Sequence, residues 1–207
     1  VLILKWLPVW VTPLMVSRSI EYRNDEEFRT HKKWESYENI SPELAKAVIA
    51  SEDNLFAEHN GFDWREMKKA IDDHREKGKK LRGASTISQQ TAKNVFLFPS
   101  KSFVRKAFEA YFTVLIEWIW GKERILEVYL NVAEMGKGIY GAEAAAQELF
   151  NKKASDLTRR ESSLLAACLP NPIQRHAENP SAYISKRAGQ IRKLIPKIAY
   201  PEWIDPK

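Results

Sequence analysis

Three stretches of this 207-residue chain carry side chains able to do chemistry. The first, EDNLFAEHNGFDW, sets two adjacent carboxylates, Glu52 and Asp53, at the end of an apolar run, with Phe56 and His59 just beyond. A carboxylate placed over a cleft loses hydration, which raises its pKa towards the range useful to a general base. A solvated helix end accounts for the same pair, and a lone His59 fits a core or surface histidine. The second stretch, GASTISQQTAKN, spaces Ser85, Gln89 and Lys93 four apart and also carries Gln90 and Asn94. On a helix that spacing gives one face a hydroxyl, an amide and an ammonium. Such a face suits a ligand rich in oxygens, a sugar or a phosphate, although a solvated polar face has the same composition. The third stretch, KSFVRKAFE, sets Glu109 among Lys101, Arg105 and Lys106, with Lys93 upstream. An Arg105–Glu109 pair of about 0.2–0.5 kcal/mol is one sufficient reason for the spacing. The other is removal of a sugar from a pyrophosphate, where the leaving group gathers negative charge and needs cations rather than a proton.

Other chemistries find no support. There is no Walker loop, no Gly-x-Gly-x-x-Gly after a strand and no Gly-x-Ser-x-Gly elbow. His31, His59, His74 and His176 show no ligand spacing, and the single Cys168 excludes an intrachain disulfide or a multi-cysteine metal site. Lys and Arg outnumber Asp and Glu by 33 to 27, giving +6 and a pI near 9.3. That favours anionic partners, but the excess is modest and the acids are interspersed, which speaks against a nucleic-acid-binding module.

The elements that must position these residues read as helices. Ser41–Pro42 is a helix start, with Ala45, Val48 and Ile49 as its apolar face. Asp63 with Glu66 forms a capping box that Gly78 can close. Ser85 is expected to cap a helix reaching about Val95, and Ser100 a longer one ending before Gly121. Residues 122–131 continue the period; Gly136, Gly138 and Gly141 mark a loop, and GAEAAAQELF is a small-residue helix. Thr158 with Glu161 opens another helix that Pro170 stops, and the last, about Ala182 to Leu194, is basic on one side. No stretch alternates like a strand, and no linker splits the chain, so one mainly α domain is expected. Residues 1–16, VLILKWLPVWVTPLMV, are apolar except for Lys5 and Thr12, with Pro8 and Pro13 interrupting any long helix. A bilayer span needs roughly 20 apolar residues. The segment reads as the end of a membrane anchor whose upstream part is missing, or as an apolar patch on a bilayer; packing on the domain's own core is the alternative.

Taken together, in this order and at these spacings, EDNLFAEHNGFDW, RGASTISQQTAKN, RKAFE, KERILEVYLN and RRESSLLAACLPNP resemble the successive motifs of peptidoglycan glycosyltransferases of family 51. These are the polymerase domains of bifunctional penicillin-binding proteins and the stand-alone monofunctional enzymes. The resemblance covers about residues 40–172. With no transpeptidase sequence after Lys207, the monofunctional, membrane-anchored type is expected, with residues 17–207 as its glycosyltransferase domain.

The resemblance implies a lysozyme-like helical globular lobe with a smaller membrane-proximal jaw lobe. It implies transfer of a lipid-linked growing glycan to the GlcNAc 4-hydroxyl of lipid II, with inversion of the anomeric centre and release of undecaprenyl pyrophosphate. Glu52 falls on the general base, and Glu109 on the second essential glutamate, which supports the pyrophosphate side or a bound metal. Lys93 falls on a pyrophosphate contact. Ser85, Gln89 and Gln90 fall on substrate-lining polar residues, and Asp53, Phe56, His59 and Asn94 stand in the same motifs. Arg105 and Lys106 complete the basic set. Glu127, Arg159 and Arg160 fall in motifs that brace the fold.

Two positions depart from the pattern. Lys101 stands where an arginine is expected, keeping the charge but not the bidentate fork, and Ala84 stands where many members have glycine. The family implies no obligatory cofactor, with assistance by Mg²⁺ or Mn²⁺ in some members. Its partners are lipid II, membrane lipid and other cell-wall synthesis proteins rather than nucleic acid. Its place is the outer side of the bacterial cytoplasmic membrane, held by one N-terminal anchor. A glycan-cleaving enzyme of lysozyme or lytic-transglycosylase type would share Glu52 but would not need cations around Glu109, because it must protonate a sugar oxygen.

Overall fold

The computed structural model describes residues 1–78 and 85–204; Gly83 and Ala84 of the second motif lie outside them. Side-chain caps decide where most of its helices begin. The first, α1 (Pro13–Glu21), starts where Thr12 Oγ1 accepts from the Met15 amide at 3.3 Å. Pro13 takes the first helical position, where its missing N–H is no loss. The proline that interrupts a long helix thus starts a short one, and the 16/17 boundary falls inside α1. After β1 (His31–Lys32) comes α2 (Pro42–Glu52), capped by Ser41 as its sequence predicts. Helix α2 buries Leu44, Ala45, Ala47, Val48 and Ile49 and ends with Glu52 on its last turn. Helix α3 (Trp64–Lys77) begins at Asp63, whose carboxylate accepts from the Arg65 and Glu66 amides, and stops at Gly78 in the left-handed conformation.

Two caps differ from expectation. Helix α4 (Ile87–Phe96) is capped by Thr86 rather than Ser85, in a reciprocal box with Gln89. Helix α5 (Phe103–Ile119) is capped by Ser102, whose Oγ accepts from the Arg105 amide at 3.1 Å. Ser100 instead gives its carbonyl to the Arg105 side chain at 2.6 Å. The chain then forms α6 (Lys122–Val132), β2 (Glu134–Gly136), β3 (Ile139–Tyr140) and α7 (Ala142–Phe150). It closes with α8 (Arg159–Cys168), which has the Thr158–Glu161 capping box its sequence predicts, and α9 (Ala182–Leu194).

The fold is mainly α with one small sheet in place of the expected loop. Its order is β1-β3-β2, with β1 parallel and β2 antiparallel to β3, and His31 lies opposite Ile139. Strands of two or three residues are too short to show an alternating pattern, so only tertiary pairing reveals them. Gly138 and Gly141 make the sheet possible. Both have positive φ, and a Cβ would come to 2.2 Å from the Arg29 carbonyl oxygen at Gly138 and 2.6 Å from the Asn131 carbonyl oxygen at Gly141.

Helix α8 packs between α2 and α9, while α4 lies against α5 and α6. The shared core includes Leu44, Val48, Phe56, Ile87, Ile116, Leu126, Tyr129 and Leu165, all essentially without solvent contact. Burial of each large apolar side chain contributes roughly 1.5–3 kcal/mol. The N-terminal segment is tied to the fold through its backbone. Trp120 Nε1 donates to the Val1 carbonyl at 3.0 Å, and Arg124 donates to the carbonyls of Leu4 and Leu7. Val9 and Met15 are buried, yet Leu2, Ile3, Trp6, Leu7 and Trp10 face outward. A second exposed apolar stripe, Phe103, Val104, Phe108, Tyr111, Val114 and Trp118, runs the length of α5. Among the described residues no helix is long and apolar enough to cross a membrane.

Candidate active site

The end of α2 is held through Asp53 by two neighbours, the Ile87 amide and His59. Asp53, the residue that stops the helix, is buried and accepts from the Ile87 amide at 3.0 Å, so it fixes the start of α4. Its carboxylate also meets His59 Nε2 at 2.8 and 3.0 Å. This bracing leaves Glu52, half-buried, facing α4. Its Oε2 accepts from Gln90 Nε2 at 3.1 Å, and its Oε1 accepts from Ser51 Oγ at 3.2 Å. Burial pushes the Glu52 carboxyl above the usual carboxylate range, against the opposing pull of Gln90, Ser51 and the Arg187 guanidinium; Asp53 pushes it further up. Tyr129 of α6 closes the back of this arrangement. It donates to Gln90 Oε1 at 3.3 Å, and its phenol is held neutral by burial and by the two carboxylates.

One turn along α4 the character changes. Lys93 and Asn94 line a cavity of about 510 Å³ together with Gln90, Lys101 and Arg105. The Lys93 side chain is open to the cleft yet crowded by protein. Crowding lowers its pKa most; Arg105 and Lys106 add to that, while Glu109 opposes it. Glu109 on α5 is buried, with Oε2 taking the Arg105 guanidinium at 2.7 Å and Oε1 taking the Lys106 ammonium. It therefore orders the cations more than it offers a free carboxylate.

That geometry bears on metal assistance. Both oxygens of Glu109 are already held by cations, and among the described residues no group of three or more His, Cys, Asp or Glu could hold a metal ion. The donor set at Glu109 does not suit Mg²⁺ or Mn²⁺.

Of the residues singled out by motif, the structure brings Gln90, Lys93, Asn94, Lys101 and Arg105 to one cavity, with Glu52 joined to it through Gln90 and with Glu109 and Lys106 paired to each other beside Arg105. It turns others inward. Phe56 is wholly buried beneath the Lys122 ammonium, 4.6 Å from its ring. Gln89 is buried, its Oε1 accepting from the Thr86 amide at 3.0 Å. Ser85 precedes the cap, half-buried, and its carbonyl takes a Gln90 N–H at 3.4 Å. The helix face predicted from Ser85, Gln89 and Lys93 is therefore not the one that lines the cavity: Gln90 rather than Gln89 accompanies Lys93, because Gln89 is buried and its side chain closes the capping box with Thr86.

The motifs miss four residues. Arg18 of α1 and Glu134 of β2 line the same cavity and pair at 3.2 Å. Burial pushes Glu134 upward against that arginine. Tyr129 lies within the KERILEVYLN stretch, where the helical period gives no sign of a polar contact. Arg187 belongs to the basic side of α9, the one sequence signal that pointed to it.

Comparison with known proteins agrees with this geometry. The family model described as transglycosylase matches residues 20–195. A biosynthetic peptidoglycan transglycosylase of Bacteroides thetaiotaomicron is 57% identical over 196 residues, covering 94% of this chain and 79% of that protein. Proteins of the same description from Pseudomonas putida and Caulobacter vibrioides are 49% and 50% identical, covering 99% and 93% of this chain and 86% and 82% of their own lengths. A family match across most of the chain, joined to relatives at these identities and to a buried carboxylate set beside a cationic cavity, leads to one conclusion: this chain belongs to the transglycosylase family and is a glycosyltransferase of peptidoglycan synthesis.

Proposed function

We propose that this enzyme polymerises glycan strands from lipid II at the outer surface of the bacterial cytoplasmic membrane. The observation that carries the reading is the construction of α4. Gln90 holds the Glu52 carboxylate, while Lys93, one turn on and about 5–6 Å away between Cβ atoms, opens the cationic cavity. A sugar ring lying along that turn would present its acceptor side to Glu52 and its leaving group to the cations.

In this reading Glu52 takes the proton from the GlcNAc 4-hydroxyl of lipid II as that oxygen attacks the anomeric carbon of the lipid-linked strand. The bond to the pyrophosphate breaks on the opposite face, so the centre inverts from α to β. The electron pair departs with undecaprenyl pyrophosphate, whose charge is met by Lys93, Lys101, Arg105 and Lys106. Glu109 keeps Arg105 and Lys106 aimed at that charge, and Glu52 returns its proton to solvent. The exposed apolar stripes of α5 and of residues 1–16 support placement against a bilayer, where both lipid tails reside. We read α5 with its neighbouring loop as the jaw lobe and the α2–α8–α9 core as the globular lobe.

Incubation with lipid II tests the reading: polymer with release of undecaprenyl pyrophosphate is expected. Fragments released from purified peptidoglycan, without polymer from lipid II, would replace it with a glycan-cleaving activity. A salt-sensitive shift of DNA with neither product would overturn both.

A further inference from the structure

The transfer reaction leaves one strong charge beside its base without a role. Arg187, on α9, reaches back across the core, and its Nη2 donates to the Ser51 carbonyl at 3.5 Å, one residue before Glu52. That carbonyl belongs to the last turn of α2, where the helix presents its negative end and a cation is favoured. Ser51 is also tied to α8, its Oγ lying 3.2 Å from both the Ala166 carbonyl and Glu52 Oε1. The Arg187 guanidinium also opposes the upward push of burial on the Glu52 carboxyl.

We propose that Arg187 is a positioning residue: from α9 it fixes the last turn of α2 and holds Glu52 in its ionised, proton-accepting form. The surroundings make such a counter-charge necessary. From α2 itself, Asp53 adds a second negative charge. From α6, Tyr129 contributes a neutral phenol in a water-poor wall. From α4, Gln90 donates one hydrogen bond and Lys93 acts from farther off, its ammonium drawn chiefly to Glu109. His59 faces Asp53 rather than Glu52. A base needs to be ionised before the acceptor hydroxyl arrives, and in this enclosure Arg187 supplies the compensating charge. It also couples the C-terminal helix to the chemistry, because any shift of α9 against α2 changes the distance over which that charge acts.

The functional meaning rests on the proposed role of Glu52 as base; the test does not. The full chain is labelled with ¹³C at glutamate side-chain carboxyls, and the Glu52 signal is assigned by its loss in Glu52→Gln. Its titration midpoint is expected to rise in Arg187→Gln and to stay at the wild-type value in Arg187→Lys. Arg187→Met, which keeps the packed stem of the side chain, is measured alongside and should match Arg187→Gln; it carries the comparison if the glutamine variant does not fold. On lipid II, the neutral variants should lose rate most at acid pH and less on the alkaline side. An unmoved Glu52 midpoint in the neutral variants overturns the proposal, as does an equal rise in Arg187→Lys. A moved midpoint in a protein that makes no polymer from lipid II would leave the electrostatic role standing and remove the polymerase reading instead.

Discussion

Replacing Glu52 by glutamine separates chemistry from architecture. The carboxylate accepts two hydrogen bonds, from Gln90 Nε2 at 3.1 Å and Ser51 Oγ at 3.2 Å. A glutamine can keep its carbonyl towards Gln90 and turn its amide to Ser51, whose hydroxyl then accepts from it and gives its one proton to the Ala166 carbonyl. The structural cost is then within about 1 kcal/mol, one ordinary hydrogen bond. Catalysis fares differently, since an amide cannot accept the proton of the attacking hydroxyl. Loss of a general base costs roughly 10²–10⁴-fold in rate, or about 3–5 kcal/mol of barrier.

The linkage sign adds a second readout. The folded-state pKa of Glu52 lies above its unfolded value, so the group favours folding at acid pH and that contribution is lost as pH rises through the folded value. Glu52→Gln removes the buried charge, so its Tm should equal or exceed that of wild type near neutrality, the advantage vanishing on acidification. The assays are polymerisation of lipid II and thermal unfolding across pH. More than about a tenth of the wild-type rate remaining, or a Tm clearly below wild type at neutral pH, would refute the reasoning.

Three further outcomes are expected. Lys93→Ala should reduce turnover more than Lys101→Ala, because Lys93 stands on α4 one turn from Gln90 while Lys101 lies in the segment between α4 and α5; Lys101→Arg should be tolerated or improve turnover through its bidentate grip. An inactive Lys101→Ala beside an active Lys93→Ala would reverse the assignment of the pyrophosphate contacts. Replacing the exposed Trp6 and Trp10 together by serine should weaken co-sedimentation with anionic vesicles without lowering Tm, and equal sedimentation would assign membrane contact to another surface. Gly141→Ala should cost about 1–3 kcal/mol in denaturant unfolding, because φ is +85° and the new Cβ would press on the Asn131 carbonyl oxygen; no loss would show that the turn relaxes freely.

Local rules made much of this protein legible in its amino-acid sequence. Caps and periods are short-range physics, so the helices opened by Ser41, Asp63 and Thr158, and the mainly α class, followed from residues a few positions apart. The ordered motifs carried the family, and with it Glu52, Glu109 and the cations. One-residue ambiguities were beyond those rules: Ser85 and Thr86 are both competent caps, and the bonds from Thr86 Oγ1 to the Gly61 carbonyl at 2.6 Å and from the Ile87 amide to Asp53 at 3.0 Å, made across the fold, select Thr86 and draw Gln89 into its capping box. The strands were equally silent: β1 pairs with β3 more than a hundred positions away, and β2 and β3, joined in a local hairpin, are too short to alternate. Tertiary packing alone decided how deeply Glu52 sits, that Gln90 holds it and Tyr129 holds Gln90, that Arg18 and Glu134 line the cationic cavity, and that Arg187 reaches the last turn of α2 from the far end of the chain. Burial and electrostatic field depend on distances through space, and only the folded chain sets those distances.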